Sequence, residues 1–267
     1  MKKFFITLAT LALVGTVGAG GYYTYDYIKD QKTPTSSSEK AQSTNSTNVQ
    51  NTSEQSDTSI QFGVTSNDAD EDVFKAMERT WEKNNDTIGW LKIEGTEINN
   101  PVLQSYDNNF YLRKNESKQY DIFGCYFADY DNRLDSRENL SGNTVIYGHS
   151  DLKDNKDGKR FSQLFKYTDE DFGKNHKIIE FSLRGEKMKW EIFSVSYSGK
   201  NTDYINIYEK GSNELGKIIN NGLKKSLYNF STSVSKDDNI LVLSTCSVKQ
   251  GTSYLSVMAK LLPAEYE

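Results

Sequence analysis

The 267 residues carry 37 acids against 32 bases, a formal charge of -5, which argues against a nucleic-acid binder that works by neutralising phosphates. Two cysteines, Cys125 and Cys246, are too few for a disulfide scaffold and lack the clustered pairs of a structural zinc site. Hydrophobic residues reach only 36% beside 17 tyrosines, so a polar segment dilutes an otherwise ordinary fold of one large or two small domains.

Met1-Lys2-Lys3 is followed by an apolar run from Phe4 through about Gly21, with no charge until Asp26. That length suits a helix crossing a bilayer core. The two lysines put its start in the cytoplasm and everything after Tyr27 outside the cell, and Tyr22, Tyr23 and Tyr25 cluster where an interfacial aromatic belt lies. Residues 1–27 are therefore read as an uncleaved single-pass membrane anchor; the small residues Gly18-Ala19-Gly20 leave a cleaved signal peptide as the alternative. Residues 28–67 are almost entirely Ser, Thr, Asn, Gln and scattered charges, too little apolar surface to offset chain entropy, and read as a disordered linker. Residues 68–267 remain as one folded unit.

Within it, Ala69 to Lys83 has apolar or small residues at Val73, Met77, Thr80 and Trp81, with acids early and a lysine late, as an amphipathic helix requires. Eight short segments rich in β-branched and aromatic residues then read as strands: Ile88–Ile93, Glu97–Val102, Phe123–Ala128, Thr144–Tyr147, Lys177–Leu183, Trp190–Tyr197, Ile240–Ser244 and Tyr254–Leu261. Eight strands without regular intervening helices predict a mainly β fold closed into a barrel. Helical insertions are expected at Phe161–Tyr167 and at Glu214–Tyr228, where Leu215, Ile218, Ile219, Leu223 and Leu227 recur at helical spacing and are assigned to the core.

Chemistry has few places to reside. His149 follows the strand Thr144–Tyr147 and Gly148, at a strand end that can face a cleft, whereas His176 sits in a charged turn and reads as solvated. Cys246 ends the apolar strand that starts at Ile240. A thiol and an imidazole from two strand ends are the minimal pair for covalent acyl transfer, with thiolate as nucleophile and histidine protonating the leaving amine. The competing reading makes Cys246 a small buried hydrophobe, and Cys125, between Gly124 and Tyr126, fits that reading better still. A Cys125–Cys246 disulfide is open to an extracellular chain, but two isolated cysteines do not specify it.

LVLSTC followed by the returning strand SVMAKLL, together with NTVIYGHS, resembles the sortases, the extracytoplasmic cysteine transpeptidases of Gram-positive bacteria. NNDTIGWLKIEGTEINNPVLQSYDNNFYL and FGCYFADYDNR are similar to the amino-terminal half of the class B branch, and the resemblance runs from about Asp86 to Leu262. It implies an eight-stranded barrel with amino-terminal helices and a helix in the connection between the sixth and seventh strands, here about Tyr204 to Phe230. It also implies that Cys246 attacks the threonyl carbonyl of a C-terminal sorting signal on a secreted protein, giving a thioacyl enzyme that a peptidoglycan peptide or pilin amine resolves, with His149 as acid and then base. Sortases carry an arginine about five residues before the Ala-Lys pair of the last strand; here that place is Tyr254, and no arginine follows Arg184. A phenol lacks the charge and fork of a guanidinium, and losing an oxyanion donor typically costs about 2.7–4 kcal/mol. A slow enzyme is expected, with Tyr254, Lys249, Arg184 and backbone amides as substitute donors.

By the same resemblance Tyr204 and Ile205 line the sorting-signal groove and Ser244 and Thr245 shape its floor, although each also suits simple packing. Asp151, Asp154 and Asp157 interleave with Lys153, Lys156 and Lys159, which reads as a solvated loop rather than a cation site, so no metal or other cofactor is expected. Two further functions compete: a sortase-fold module that binds sorting signals or pilins with little turnover, and an extracellular cysteine peptidase in which water replaces the amine.

Overall fold

The computed structural model describes residues 73–151, 153–199, 202–249 and 253–266. The expected anchor and linker lie outside the described residues, as does the start of the first helix; among the described residues no helix is long and apolar enough to cross a membrane. Helix α1 (Val73–Lys83) buries Ala76, Met77 and Thr80 and packs through Ala76 and Met77 on Trp90.

Eight strands close into a barrel: β1 (Thr87–Ile93), β2 (Asn99–Leu103), β3 (Tyr126–Ala128), β4 (Asn143–Tyr147), β5 (Ile178–Leu183), β6 (Lys189–Ser198), β7 (Ile240–Ser247) and β8 (Ser253–Leu261), in the order β1-β2-β3-β4-β7-β8-β6-β5. The expected strands are all present, and their shifted ends have local causes. β3 is shorter than its sequence suggests because Gly124 turns at φ +53, its N–H donating to the Asp121 carbonyl, and an added Cβ there would meet the Tyr111 carbonyl. β2 starts later because Ile93 and Ile98 close a tight hairpin on which the Thr96 hydroxyl accepts the Ile98 N–H at 3.0 Å.

The pairs β2–β3 and β4–β7 are parallel, so each needs a long connection; the others are antiparallel. Alternate side chains of β7 face opposite ways. Leu241 and Leu243 point into the barrel beside Val195, Leu255 and Val257, while Ile240 and Val242 point outward and are covered by the β6–β7 connection. Each of these side chains, fully removed from water, contributes about 1.5–3 kcal/mol.

That connection contains the 3₁₀ turn Asp203–Ile205 and helix α3 (Asn213–Lys225), started by the Ser212 hydroxyl accepting the Leu215 N–H. Leu215, Ile218 and Ile219 are buried as expected, but Leu223 and Leu227 are each 42% exposed. The helix stops at Lys225 because the Leu227 N–H pairs with the Val195 carbonyl instead, so the helical register no longer reaches the sheet. The other insertion is the 3₁₀ segment Arg160–Thr168, followed by the short helix α2 (Glu170–Asn175). His176 caps that helix: Nδ1 lies 2.9 Å from the Phe172 carbonyl and the ring stacks on Phe172 at 4.2 Å, a half-buried packing position rather than a solvated one.

Candidate active site

Parallel pairing of β4 with β7 sets Tyr147 opposite Ser244. Beyond the end of β4 the two chains stay together. The Gly148 N–H donates to the Ser244 carbonyl at 3.4 Å, the Thr245 hydroxyl donates to the Gly148 carbonyl at 2.7 Å, and the Ser150 hydroxyl donates to the Cys246 carbonyl. His149 and Cys246 each stand two residues past the Tyr147–Ser244 pair and so hold equivalent places in this register. On the other edge of β7, Cys246 is registered with Tyr254 of β8. Cys246 and Tyr254 are therefore paired on the outward face that Ser244, Val242 and Ile240 share, and His149 follows the end of the neighbouring β4 at the level of Cys246.

Gly148 permits this approach: a Cβ there would lie 2.7 Å from the Phe161 ring and 2.9 Å from Tyr126. Asp154, at φ +51, then ties the two loops, its carboxylate accepting the Ser247 hydroxyl at 2.6 Å and the Val248 N–H at 3.0 Å. Asp151 accepts the Asn155 N–H at 3.0 Å, so two of the three loop aspartates serve loop hydrogen bonds. Among the described residues no three His, Cys, Asp or Glu side chains are grouped to hold a metal ion.

His149 is 7% exposed, and its Nε2 lies 2.8 Å from both the Leu112 carbonyl and Nη1 of Arg113. A ring protonated at Nε2 donates to the carbonyl; a ring protonated at Nδ1 accepts from the guanidinium. Burial first, and then the Arg113 charge, pulls the His149 pKa down to about 4, so the imidazole is neutral at pH 7. Cys246 is a free thiol that keeps some contact with solvent, yet the protein volume around it pushes its pKa up to about 12 against an opposing pull from Arg113. Imidazole and thiol both rest uncharged. Tyr254 is half-buried and its phenol is raised well above the usual range by burial and by Cys246, so it remains a hydrogen-bond donor. Cys125 is also a free thiol, fully buried and raised well above the ordinary range by desolvation; no disulfide joins the two cysteines.

Tyr204, 8% exposed, exchanges a hydrogen bond with Ser244 at 3.0 Å, and Ile205 packs beside it on the outer face of β7. Thr245 lies on the opposite face, where its hydroxyl holds Gly148 in place beside β7. A hydroxyl-rich cleft continues from Tyr204 between α3 and the strands β6 and β8, lined by Ser196, Ser198, Asp203, Ser256 and Met258.

Of the substitute donors, Arg184 is far from these residues in its contacts: it pairs with Glu78 at 3.3 Å and lies 4.1 Å over the Trp81 ring of α1. Lys249 sits 4.4 Å over Tyr197, whose register partner Leu255 points into the barrel, the face opposite Cys246. Arg113 escapes a reading of the sequence. It directly follows Phe110-Tyr111-Leu112 as the first cation of the β2–β3 connection, but nothing in the chain order signals contact with a histidine 36 residues away.

A family model described as the sortase domain matches residues 91–262. The chain is 31% identical over 191 residues to sortase B of Staphylococcus aureus, a match spanning 71% of this chain and 74% of that protein. It is 35% identical over 167 residues to sortase B of Listeria monocytogenes, spanning 62% of this chain and 65% of that one. Among solved structures, the Staphylococcus aureus sortase B–substrate complex superposes with a TM-score of 0.63 at 31% identity, covering 72% of this chain and 87% of the other.

Proposed function

Since this chain belongs to the sortase family of cysteine transpeptidases, we propose that it cuts a threonine-containing sorting signal on a secreted protein and joins the cut end to a peptidoglycan or pilin amine. Cys246 is the nucleophile and His149 the proton carrier. As Sγ bonds to the threonyl carbonyl carbon, its proton passes to His149 and the carbonyl π pair moves onto oxygen. Collapse of that intermediate breaks the C–N bond, and His149 returns the proton to the departing amine, leaving a thioester. The acceptor amine then adds to the thioester and gives a proton to His149; the C–S bond breaks and the proton returns to sulfur.

The observation that carries this reading is that His149, just past β4, stands at the level of the Cys246–Tyr254 pair of β7 and β8, tied by the hydroxyls of Thr245 and Ser150. Tyr254 donates one hydrogen bond where an arginine is expected, so turnover is slow, by a factor on the order of hundreds. Tyr204, Ile205 and Ser244 line the signal groove, and Thr245 contributes by holding the His149 loop. The apolar run after Lys3 anchors the enzyme so that the barrel faces the cell surface, where secreted substrates and wall amines are both present. The same substitution at Tyr254 favours the second reading, a module that binds sorting signals and rarely turns over.

Mass spectrometry of the full-length chain in detergent, incubated with threonine-containing peptides with and without triglycine, tests both. A peptide adduct that is absent in Cys246→Ala and His149→Ala and is resolved faster by triglycine supports the transpeptidase. Binding without adduct supports the module, and hydrolysis indifferent to triglycine supports a peptidase and refutes amine transfer.

A further inference from the structure

His149 is held at two points that belong to two different connections. Its carbonyl accepts the Phe161 N–H at 2.8 Å, in the β4–β5 connection, and its Nε2 lies 2.8 Å from the Leu112 carbonyl, in the β2–β3 connection. On the transpeptidase reading, we propose that the ion pair of Arg160 and Glu116, which fastens those two connections together, positions His149 for proton transfer. Arg160 directly precedes Phe161, and Glu116 lies four residues after Leu112. Both act through the histidine and are positioning residues.

The pair is built as a clamp. Nη1 of Arg160 lies 2.7 Å from Oε1 of Glu116 and Nη2 lies 3.2 Å from Oε2, while Nη2 also donates to the Gly124 carbonyl at 2.6 Å. One guanidinium thus grips the β2–β3 connection in its middle and again just before β3. Only 16% of the Arg160 side chain and 6% of the Glu116 side chain are exposed, so water competes little for these charge-assisted bonds. A buried ion pair is a weak source of stability, because desolvation offsets the attraction, and its attested use is to fix registry. Arg160 also sits at φ +55, a left-handed conformation that a residue with a Cβ keeps only where its surroundings impose it. Further contacts extend the grip. The Glu116 carbonyl accepts Nδ2 of Asn84, just past α1, at 2.9 Å, and the Arg160 guanidinium lies 5.4 Å from the centre of the Tyr126 ring, which packs on Phe161 at 4.7 Å. Loosening the pair lets Leu112 leave Nε2 and Phe161 leave the His149 carbonyl, so both holds on the histidine slacken together.

The chain has two histidines, so long-range proton–nitrogen NMR of the full-length chain in detergent reads His149 against an internal control, His176, which is held on α2 by Phe172. In Glu116→Gln the imidazole nitrogen signals of His149 are expected to shift toward those of a free ring exchanging between its tautomers, while those of His176 stay in place. Adduct formation with a threonine-containing peptide slows by roughly tenfold to a hundredfold at saturating peptide. The half-saturating concentration stays unchanged, because Tyr204, Ile205 and Ser244 stand on other elements. Equal shifts at both histidines would show a pair that merely holds the barrel together, and unchanged His149 signals a pair that does not reach the ring. Either result overturns the proposal, as does slowed adduct formation without a shifted ring. Should Glu116→Gln fail to fold, Arg160→Lys decides on the same signals: the ammonium keeps the charge but lacks the fork that reaches Glu116 and Gly124 together, so His149 still shifts and His176 does not. Should the parent chain give no adduct with any peptide, the transpeptidase reading fails by itself, while the NMR result still decides whether the pair positions His149.

Discussion

The surroundings of His149 and Cys246 favour neither an imidazolium nor a thiolate, since burial depresses one pKa to about 4 and lifts the other to about 12. On the proposed reaction the sulfur therefore loses its proton during attack rather than before it, and the reaction depends on a base. The thiolate fraction of a group with so high a pKa grows about tenfold for each pH unit across the neutral range. Alkylation of Cys246 by iodoacetamide is accordingly expected to climb steadily from pH 6 to pH 9. A plateau reached by pH 7 would mean a resting thiolate and would refute the neutral pair. Cys125, with no exposed surface, should remain unmodified over the same range until the chain unfolds.

At the scale of elements, the β6–β7 connection is stitched to the region around the start of β4 by residues that precede α3 in the chain. The Gly142 N–H donates to the Tyr208 carbonyl at 2.8 Å, the Asn143 side chain bonds the Asn206 carbonyl and the Tyr208 N–H at 2.8 Å each, and Arg133 forks onto Glu209 at 2.7 Å. Gly142 faces backbone here: a Cβ would lie 2.6 Å from the Lys210 nitrogen and 2.7 Å from the Tyr208 oxygen, atoms that cannot rotate aside. Gly142→Ala is predicted to destabilise the fold by about 1–3 kcal/mol in urea titration, as overpacking does, and to raise KM for a sorting peptide more than it lowers kcat. The second effect arises because the displaced connection carries Tyr204 and Ile205 but not His149 or Cys246. An unchanged KM would show that the groove does not depend on this seam.

For the whole molecule, the buried neutral histidine links folding to pH. Its folded pKa lies below its unfolded value, so between pH 6.5 and about 4 the unfolded chain binds a proton that the native barrel rejects, and stability falls as pH falls through that window. Above pH 6.5 both states are neutral and the group contributes nothing to the slope. Against His149→Gln, the parent is expected to lose on the order of 3 kcal/mol of unfolding free energy between pH 7 and pH 4. Parallel stability curves for the two proteins would place His149 in water instead.

Local pattern was enough to find all eight strands, the outline of a barrel, and the isolated pair His149 and Cys246, because strand alternation and the scarcity of histidine and cysteine are visible one residue at a time. Helical spacing was equally visible in Leu215, Ile218 and Ile219, yet Leu227 broke it, since its N–H goes to the Val195 carbonyl and no periodicity encodes that partner. His176 looked like a solvated turn because its stacking partner, Phe172, is recognisable only once α2 has formed. Whether a given guanidinium reaches the reactive pair is likewise settled by which connections a closed barrel brings together. Arg184, nearer to Cys246 in the chain, ends on α1, and Arg113, 133 positions before it, ends beside His149. Type and spacing determine what a residue is able to do; parallel pairing of β2 with β3 and of β4 with β7, each spanning a long connection, decides what it stands next to.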